Sequence, residues 1–222
     1  MKKYNFVAPC HFGIEAVLKR EIQDLGYDIV KVEDGRVTFE GDISAVCRAN
    51  VFLRTAERVL LQVGRVKATT YDELFEAVKA MDWEEYIPED GKFWVKKASS
   101  IKSKLFSPSD IQRIVKKAMV EKLKLKYRVN RFAETGNEYP LRVVFYKDEA
   151  IIALDTSGDS LHKRGYRKNT AKAPISETLA AALIMLTPWN KDRILVDPFS
   201  LWKWNISNRG SVNSSKYCTR NE

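Results

Sequence analysis

The chain has 222 residues, a net charge of +9 from 38 Lys and Arg against 29 Asp and Glu, and 45% hydrophobic residues, enough for a core in one large or two small domains. No apolar run is long enough to span a bilayer, and the opening Met1-Lys2-Lys3-Tyr4-Asn5-Phe6 lacks the apolar core of a secretory signal, so a cytoplasmic protein is expected. Three cysteines in no paired or metal-ligand spacing (Cys10, Cys47, Cys218) and only two histidines speak against a disulfide framework and a metal site, while the basic balance favours a polyanion: RNA, DNA or an anionic membrane.

Ile14, Val17, Leu18, Ile22 and Leu25 fall on one helical stripe, with Gly26 placed to stop it. Residues 29–32 and 36–39 read as strands joined at Asp34-Gly35, a hairpin signal because both residue types tolerate the positive φ of a tight turn. Asp42 is placed to cap a helix over residues 43–53, and residues 59–66 read as a buried strand. Thr70-Tyr71-Asp72-Glu73 is a capping box, in which hydroxyl and carboxylate each satisfy a backbone N–H that the helix start leaves open; the helix behind it carries Leu74, Phe75, Val78 and Met81. Residues 93–98 form a further strand. Ser107-Pro108 then combines an N-cap with a proline at the first helical position. The helix it opens buries Ile111, Ile114, Val115, Met119 and Leu123 and sets Arg113, Lys116, Lys117, Lys122, Lys124 and Lys126 on its other positions. Residues 141–146 and 151–155 make a hairpin around Lys147-Asp148-Glu149. A polar, basic segment follows over 156–173, then a helix over 176–187 and a short strand over 194–197. Strands and helices alternate without the rhythm of one doubly wound sheet, which points to an α/β (α+β) chain of two small units, a basic linker and the opening of a third.

Two stretches offer cations to a polyanion. Lys96-Lys97-Ala98-Ser99-Ser100-Ile101-Lys102-Ser103-Lys104 is a Lys/Ser strand end and loop, suited to phosphates rather than base edges, and weighs about equally as a solvated loop. Leu161-His162-Lys163-Arg164-Gly165-Tyr166-Arg167-Lys168 sets cations and a tyrosine around a glycine, a composition that can stack on exposed bases but that is more often an ordinary charged linker. His162 reads as a local hydrogen-bonding residue, His11 as a helix-start residue, and Trp83, Trp94 and Trp189 as core or interface rather than a stacking platform. Neither a Gly-x-Ser-x-Gly elbow nor a P-loop is present, and acidic pairs such as Glu84-Glu85 read as solvated.

The string from Asp155 to Arg167 (DTSGDSLHKRGYR), the string from Ala173 to Leu183 (APISETLAAAL), Ser107-Pro108-Ser109-Asp110-Ile111-Gln112-Arg113 and Glu134-Thr135-Gly136 closely resemble the THUMP-containing rRNA guanine-N2 methyltransferases. The likeness runs from the N-terminus to Phe199. It implies a ferredoxin-like unit over residues 1–42, a THUMP RNA-binding domain over 43–155, a basic linker over 156–173 and the start of a Rossmann-like methyltransferase domain over 174–199. It further implies S-adenosylmethionine as methyl donor and 23S rRNA as partner. RNA contacts follow at Lys97, Lys102, Lys104, Arg113 and Lys117, and in the linker at Lys163, Arg164, Arg167 and Lys168. Two alternatives stay open: a stand-alone, non-catalytic THUMP protein, and a tRNA-directed guanine-N2 methyltransferase.

The family continues from Asp-Pro-Phe into Cys-Gly-Ser-Gly-Thr, whose glycine turn cradles the cofactor. Here Asp197, Pro198 and Phe199, a remnant of the cofactor site, are followed by Ser200-Leu201-Trp202-Lys203-Trp204. Back-translation explains the change. Leu-Trp-Lys-Trp-Asn can be CTG TGG AAG TGG AAC, and one base later the same DNA reads TGT GGA AGT GGA AC, or Cys-Gly-Ser-Gly-Thr. Residues 200–222 are therefore expected to be an out-of-frame tail. It carries Lys203, Arg209, Lys216 and Arg220 against Glu222, which is +3 of the chain's +9. The family's Asn-Pro-Pro-Tyr type catalytic motif is not in the chain, so no catalytic residue is assigned and no methyl transfer by this polypeptide alone is expected. The apolar face of the 176–187 helix, with Leu179, Leu183, Ile184 and Leu186, is expected to be short of partners and to favour self-association.

Overall fold

The computed structural model describes residues 2–165, 175–190 and 192–194. They divide into two compact units, Met1–Leu60 with the chain from Thr156 onward, and Leu61–Asp155.

In the first unit, β1 (Tyr4–Pro9), β2 (Asp28–Glu33) and β3 (Arg36–Gly41) stand in the order β2-β3-β1, all antiparallel. The β2–β3 turn falls at Asp34-Gly35 as the sequence predicts, with Gly35 at φ +74. Helix α1 (Glu15–Asp24) buries Val17, Leu18 and Ile22, and Phe6 stacks on Phe39 with ring centroids 5.3 Å apart. Glu21 is buried on the same helix yet satisfied: it accepts from the Arg54 and Thr55 backbone N–H groups at 2.8 and 3.1 Å, the Arg54 Nε at 3.1 Å and the Thr55 hydroxyl at 2.8 Å. Helix α2 (Ala45–Phe52) begins two residues later than expected, but Asp42 still serves its start, accepting from the Ala45 N–H at 3.2 Å. The Ser44 hydroxyl above all, with backbone N–H groups, holds the Asp42 carboxyl below its usual range. Helix α5 (Glu177–Leu186), capped by Ser176, buries Ile184 and leaves Leu183 and Leu186 exposed.

The chain returning after Asp155 bonds back to residues 50–59 through a mixture of backbone and side-chain hydrogen bonds. Thr156 N–H donates to the Val59 carbonyl at 3.2 Å, Val59 N–H to Ser157 Oγ at 2.8 Å, Arg58 to Gly158 O at 2.7 Å and Leu161 N–H to Glu57 O at 2.9 Å. These bonds move a boundary. A unit ending at residue 42 would exclude α2 and this seam, whereas the compact unit runs to Leu60. Strand β1 was not foreseen, because its buried run Phe6-Val7-Ala8 is short and does not alternate.

In the second unit, β4 (Leu60–Lys67), β5 (Lys92–Ile101), β6 (Glu138–Tyr146) and β7 (Glu149–Asp155) take the order β4-β7-β6-β5, with β5 parallel to β6 and β6 antiparallel to β7. Helix α3 (Tyr71–Lys79) opens with the full capping box between Thr70 and Glu73. A short 3-10 turn, Trp83–Glu85, buries Trp83, whose indole N–H donates to Val78 O at 2.7 Å. Helix α4 (Pro108–Tyr127) is capped by Ser107, packs on α3 and β5, and buries Ile111, Val115, Ala118, Met119 and Leu123. The expected strand over 194–197 lies outside the described residues except for Ile194.

Candidate nucleic-acid interface

The loop between β5 and α4 is shaped by the β6–β7 turn. Lys147 and Asp148 both hold positive φ, the signature of a tight hairpin turn. That turn aims its polar groups at the loop: Lys147 N–H donates to Ile101 O at 3.2 Å, Asp148 N–H to Ser103 Oγ at 3.0 Å, and Asp148 Oδ1 accepts from Lys104 N–H at 2.7 Å. Ser103 Oγ in turn donates to Ile101 O at 3.0 Å, and Ser100 Oγ to Leu105 O at 2.5 Å. With its backbone engaged and Leu105 buried, the loop turns Lys102 and Lys104 outward, along with Ile101 and Phe106, which is 80% exposed. Lys97 is exposed on β5, and Arg113 and Lys117 on α4.

Beside the loop, Trp94 and Val95 of β5 and Ser109, Gln112, Arg113, Lys116 and Lys117 of α4 line an open groove of about 490 Å³. Gln112 joins its walls by donating from Nε2 to Val95 O at 3.2 Å. Arg113 pairs with Asp110 one turn earlier, and the Ser107 hydroxyl first, then Arg113, keeps the Asp110 carboxyl below its usual range. Lys117 lies 5.5 Å from the centre of the Phe75 ring, and Lys92 lies 5.5 Å from that of Trp94. A second groove, about 590 Å³, is lined by Lys124, Asn130, Arg131, Phe132, Ala133 and Glu134.

The expected linker contacts divide. Lys163 is exposed. Arg164 is 5% exposed and does not face solvent. Its Nη1 donates to the carbonyls of Asn50 and Val51, each at 3.2 Å, and its Nη2 to that of Leu53, so the guanidinium closes the C-terminal end of α2. Helix ends leave such carbonyls without intrahelical donors and carry partial negative charge, which makes an arginine there a structural cap, not a phosphate ligand. Arg167 and Lys168, and the remnant Asp197, Pro198 and Phe199, lie outside the described residues.

Both histidines meet on one carboxylate. His11 Nε2 lies 3.1 Å from Glu57 Oε1 and His162 Nδ1 lies 3.3 Å from Glu57 Oε2, while the Thr178 hydroxyl donates to Oε1 at 2.5 Å. Ser176 Oγ adds a contact to His11 Nε2 at 3.2 Å. Glu57 therefore joins the β1 exit, the linker and the start of α5. Next to it, burial above all, with Glu15 and Glu57 adding, pushes the Cys10 thiol up to about 12. Among the described residues no three or more of His, Cys, Asp and Glu gather as a metal site would need. None of their helices is long and apolar enough to cross a membrane.

Sequence reasoning missed the Trp94 groove and the Glu57 junction. The alternation of β5, with Phe93 buried and Trp94 only half-buried, was the available signal for the first. Nothing local marks the second.

The sequence matches the RlmL ferredoxin-like domain over residues 5–60, the THUMP domain over 68–155 and the RMKL-like methyltransferase domain over 164–200. It is 56% identical over 201 residues to YpsC of Bacillus subtilis (strain 168), named as an RNA methyltransferase; the match covers 90% of this chain and 52% of YpsC. A Listeria monocytogenes str. 4b F2365 structure, named as an N6-adenine-specific DNA methylase, is 49% identical with a TM-score of 0.89, covering 96% of this chain and 56% of that one. SMU.472, named as a methyltransferase and crystallised with SAH, is 36% identical with a TM-score of 0.83, covering 98% and 66%. The chain spans about half the length of the curated relatives it matches.

Proposed function

We propose that this chain, which shares the ferredoxin-like, THUMP and opening methyltransferase domains of the THUMP-containing RNA methyltransferases, is the RNA-gripping front portion of an S-adenosylmethionine-dependent 23S rRNA guanine-N2 methyltransferase. One observation carries the reading. Several lysines of the second unit are paired with acids: Lys79 with Glu121, Lys92 with Glu138, Lys122 with Asp82 and Lys126 with Glu84. Lys97, Lys102 and Lys116 have no carboxylate within ion-pair distance among the described residues, and Lys102 rides on a backbone already tied down. Cations held apart from protein acids on a fixed frame suit phosphates, whose neutralisation releases counterions.

Lys97, Lys102, Lys104, Arg113, Lys117 and Lys163 are the phosphate contacts in this reading, extended on sequence alone by Arg167 and Lys168. Arg164 is left out because it is buried. S-adenosylmethionine supplies the methyl group in the family. In this chain Trp202 and Trp204 stand where the cofactor turn needs glycine, so Asp197, Pro198 and Phe199 are assigned no cofactor and methyl transfer by this polypeptide alone is not expected.

The test is a binding titration of the purified chain at several salt concentrations against 23S rRNA fragments, tRNA and duplex DNA, with a parallel assay for transfer of a labelled methyl group. The expected result is tightest binding to rRNA, with log affinity falling linearly in log salt, and no label incorporated. Preference for tRNA would favour the tRNA-directed alternative, and indifference to RNA at low salt would overturn the proposal.

A further inference from the structure

We infer that the groove between β5 and α4 holds one unstacked nucleobase against the Trp94 indole, so that the RNA is engaged as a single-stranded or bulged segment. The inference rests on the RNA-binding reading and adds to it the form of RNA recognised and the residue that recognises it. Trp94 is only half-buried although Phe93 and Ala98 of the same strand are buried. Its ring lies on the wall of a groove of about 490 Å³, inside the range of roughly 300–1,000 Å³ typical of small-ligand sites. Lys92 lies over the ring, 5.5 Å from its centre, and is itself paired with Glu138 at 2.9 Å.

The opposite wall, on α4, supplies what a nucleotide needs besides a stacking surface. Exposed Arg113, Lys116 and Lys117 stand at the groove for a phosphate. Gln112 is tethered to the Val95 carbonyl through its Nε2, which turns its amide oxygen into a fixed acceptor for a base amino group. An aromatic face flanked by cations is the general design of single-strand sites, because every base has a π face once it leaves its stack. A continuous duplex hides those faces and presents only edges, sugars and phosphates. Charge favours a polyanion as the occupant, since Lys116 and Lys117 stand on the groove and Arg113 beside them is shared with Asp110.

Two experiments on the full chain test this. In the first, a fluorescein-labelled single-stranded RNA 12-mer and a blunt RNA duplex of equal length are titrated against wild type, Trp94→Leu and Trp94→Phe at fixed low salt. Trp94→Leu should weaken the single strand by about 5- to 150-fold, the equivalent of roughly 1–3 kcal/mol per stacked base. Duplex binding should change less than about twofold, and Trp94→Phe should recover most of the loss. Equal losses on both RNAs, or none on the single strand, would overturn the inference while leaving RNA binding intact; a wild type that binds neither RNA would overturn the RNA-binding reading itself. In the second, which does not depend on a variant folding, wild type is photocrosslinked to a 5-iodouridine-containing single strand. A cross-linked peptide containing Trp94 is expected, and cross-links confined to other peptides would refute the site.

Discussion

The loop between β5 and α4 and the linker after Asp155 are both basic strings, and their charges are put to opposite uses. In the loop the serines and the backbone make the internal bonds, and Lys102 and Lys104 stay in solvent. In the linker charged and polar side chains join the backbone in making them: Arg164 closes α2, His162 meets Glu57, and Ser157 accepts from Val59 N–H while donating to Asn50 Oδ1 at 2.7 Å. A cation count along the sequence does not separate these cases. What separates them is whether open carbonyls or carboxylates lie within reach, since a buried arginine without such partners would be prohibitively costly.

The largest effect should come from Arg164→Ala. It strands three carbonyls at the end of α2 and should cost about 2–4 kcal/mol by urea denaturation. RNA affinity of the folded fraction should stay within about twofold, as expected of a residue that touches no phosphate. An unchanged midpoint with a large loss of affinity would reverse the comparison. Next, Lys102→Glu with Lys104→Glu should do the opposite, lowering RNA affinity by about tenfold or more and flattening its salt slope, with stability changed by no more than about 0.5 kcal/mol. An unaltered slope would remove the loop from the interface.

Smaller effects sharpen the contrast between groups committed inside the fold and groups left outside it. The Thr69 backbone N–H first, then its hydroxyl, keep the Glu73 carboxyl below the ordinary 4.5. A carboxyl with a lowered folded pKa contributes stability that is complete above its unfolded value and is lost as pH falls through the folded one. Glu73→Gln should therefore be less stable than wild type near neutrality, and the gap should close below about pH 4.5 in a series of denaturation curves. Last, Cys10, with its thiol pushed up to about 12, stays protonated at pH 8. Peptide mapping after iodoacetamide treatment should find exposed Cys47 alkylated well before Cys10, and equal rates would show the Cys10 pocket to be open.

What was legible in the sequence is what neighbours decide. The Thr70–Glu73 box, the Asp34-Gly35 turn and the Ser107-Pro108 start each need only three or four consecutive residues, and each stands where expected. What was not legible depends on distant partners. Arg164 finds its carbonyls more than a hundred residues earlier, Glu57 gathers groups from residues 11, 162 and 178, and α2 is claimed for the first unit by the returning chain. The sequence places Trp94 in core or interface without choosing between them; its half-exposure becomes visible only once α4 is laid beside β5.

The dependence of the lysine loop on Asp148 has a consequence for anyone hoping to transplant it. Residues 101–106 carry the charges, but the template for their shape is written some forty residues downstream, in the corner of the β6–β7 hairpin. Moved alone to a foreign scaffold, the hexapeptide would keep its ions and lose its form; moved with its corner, it would travel as a two-part cassette.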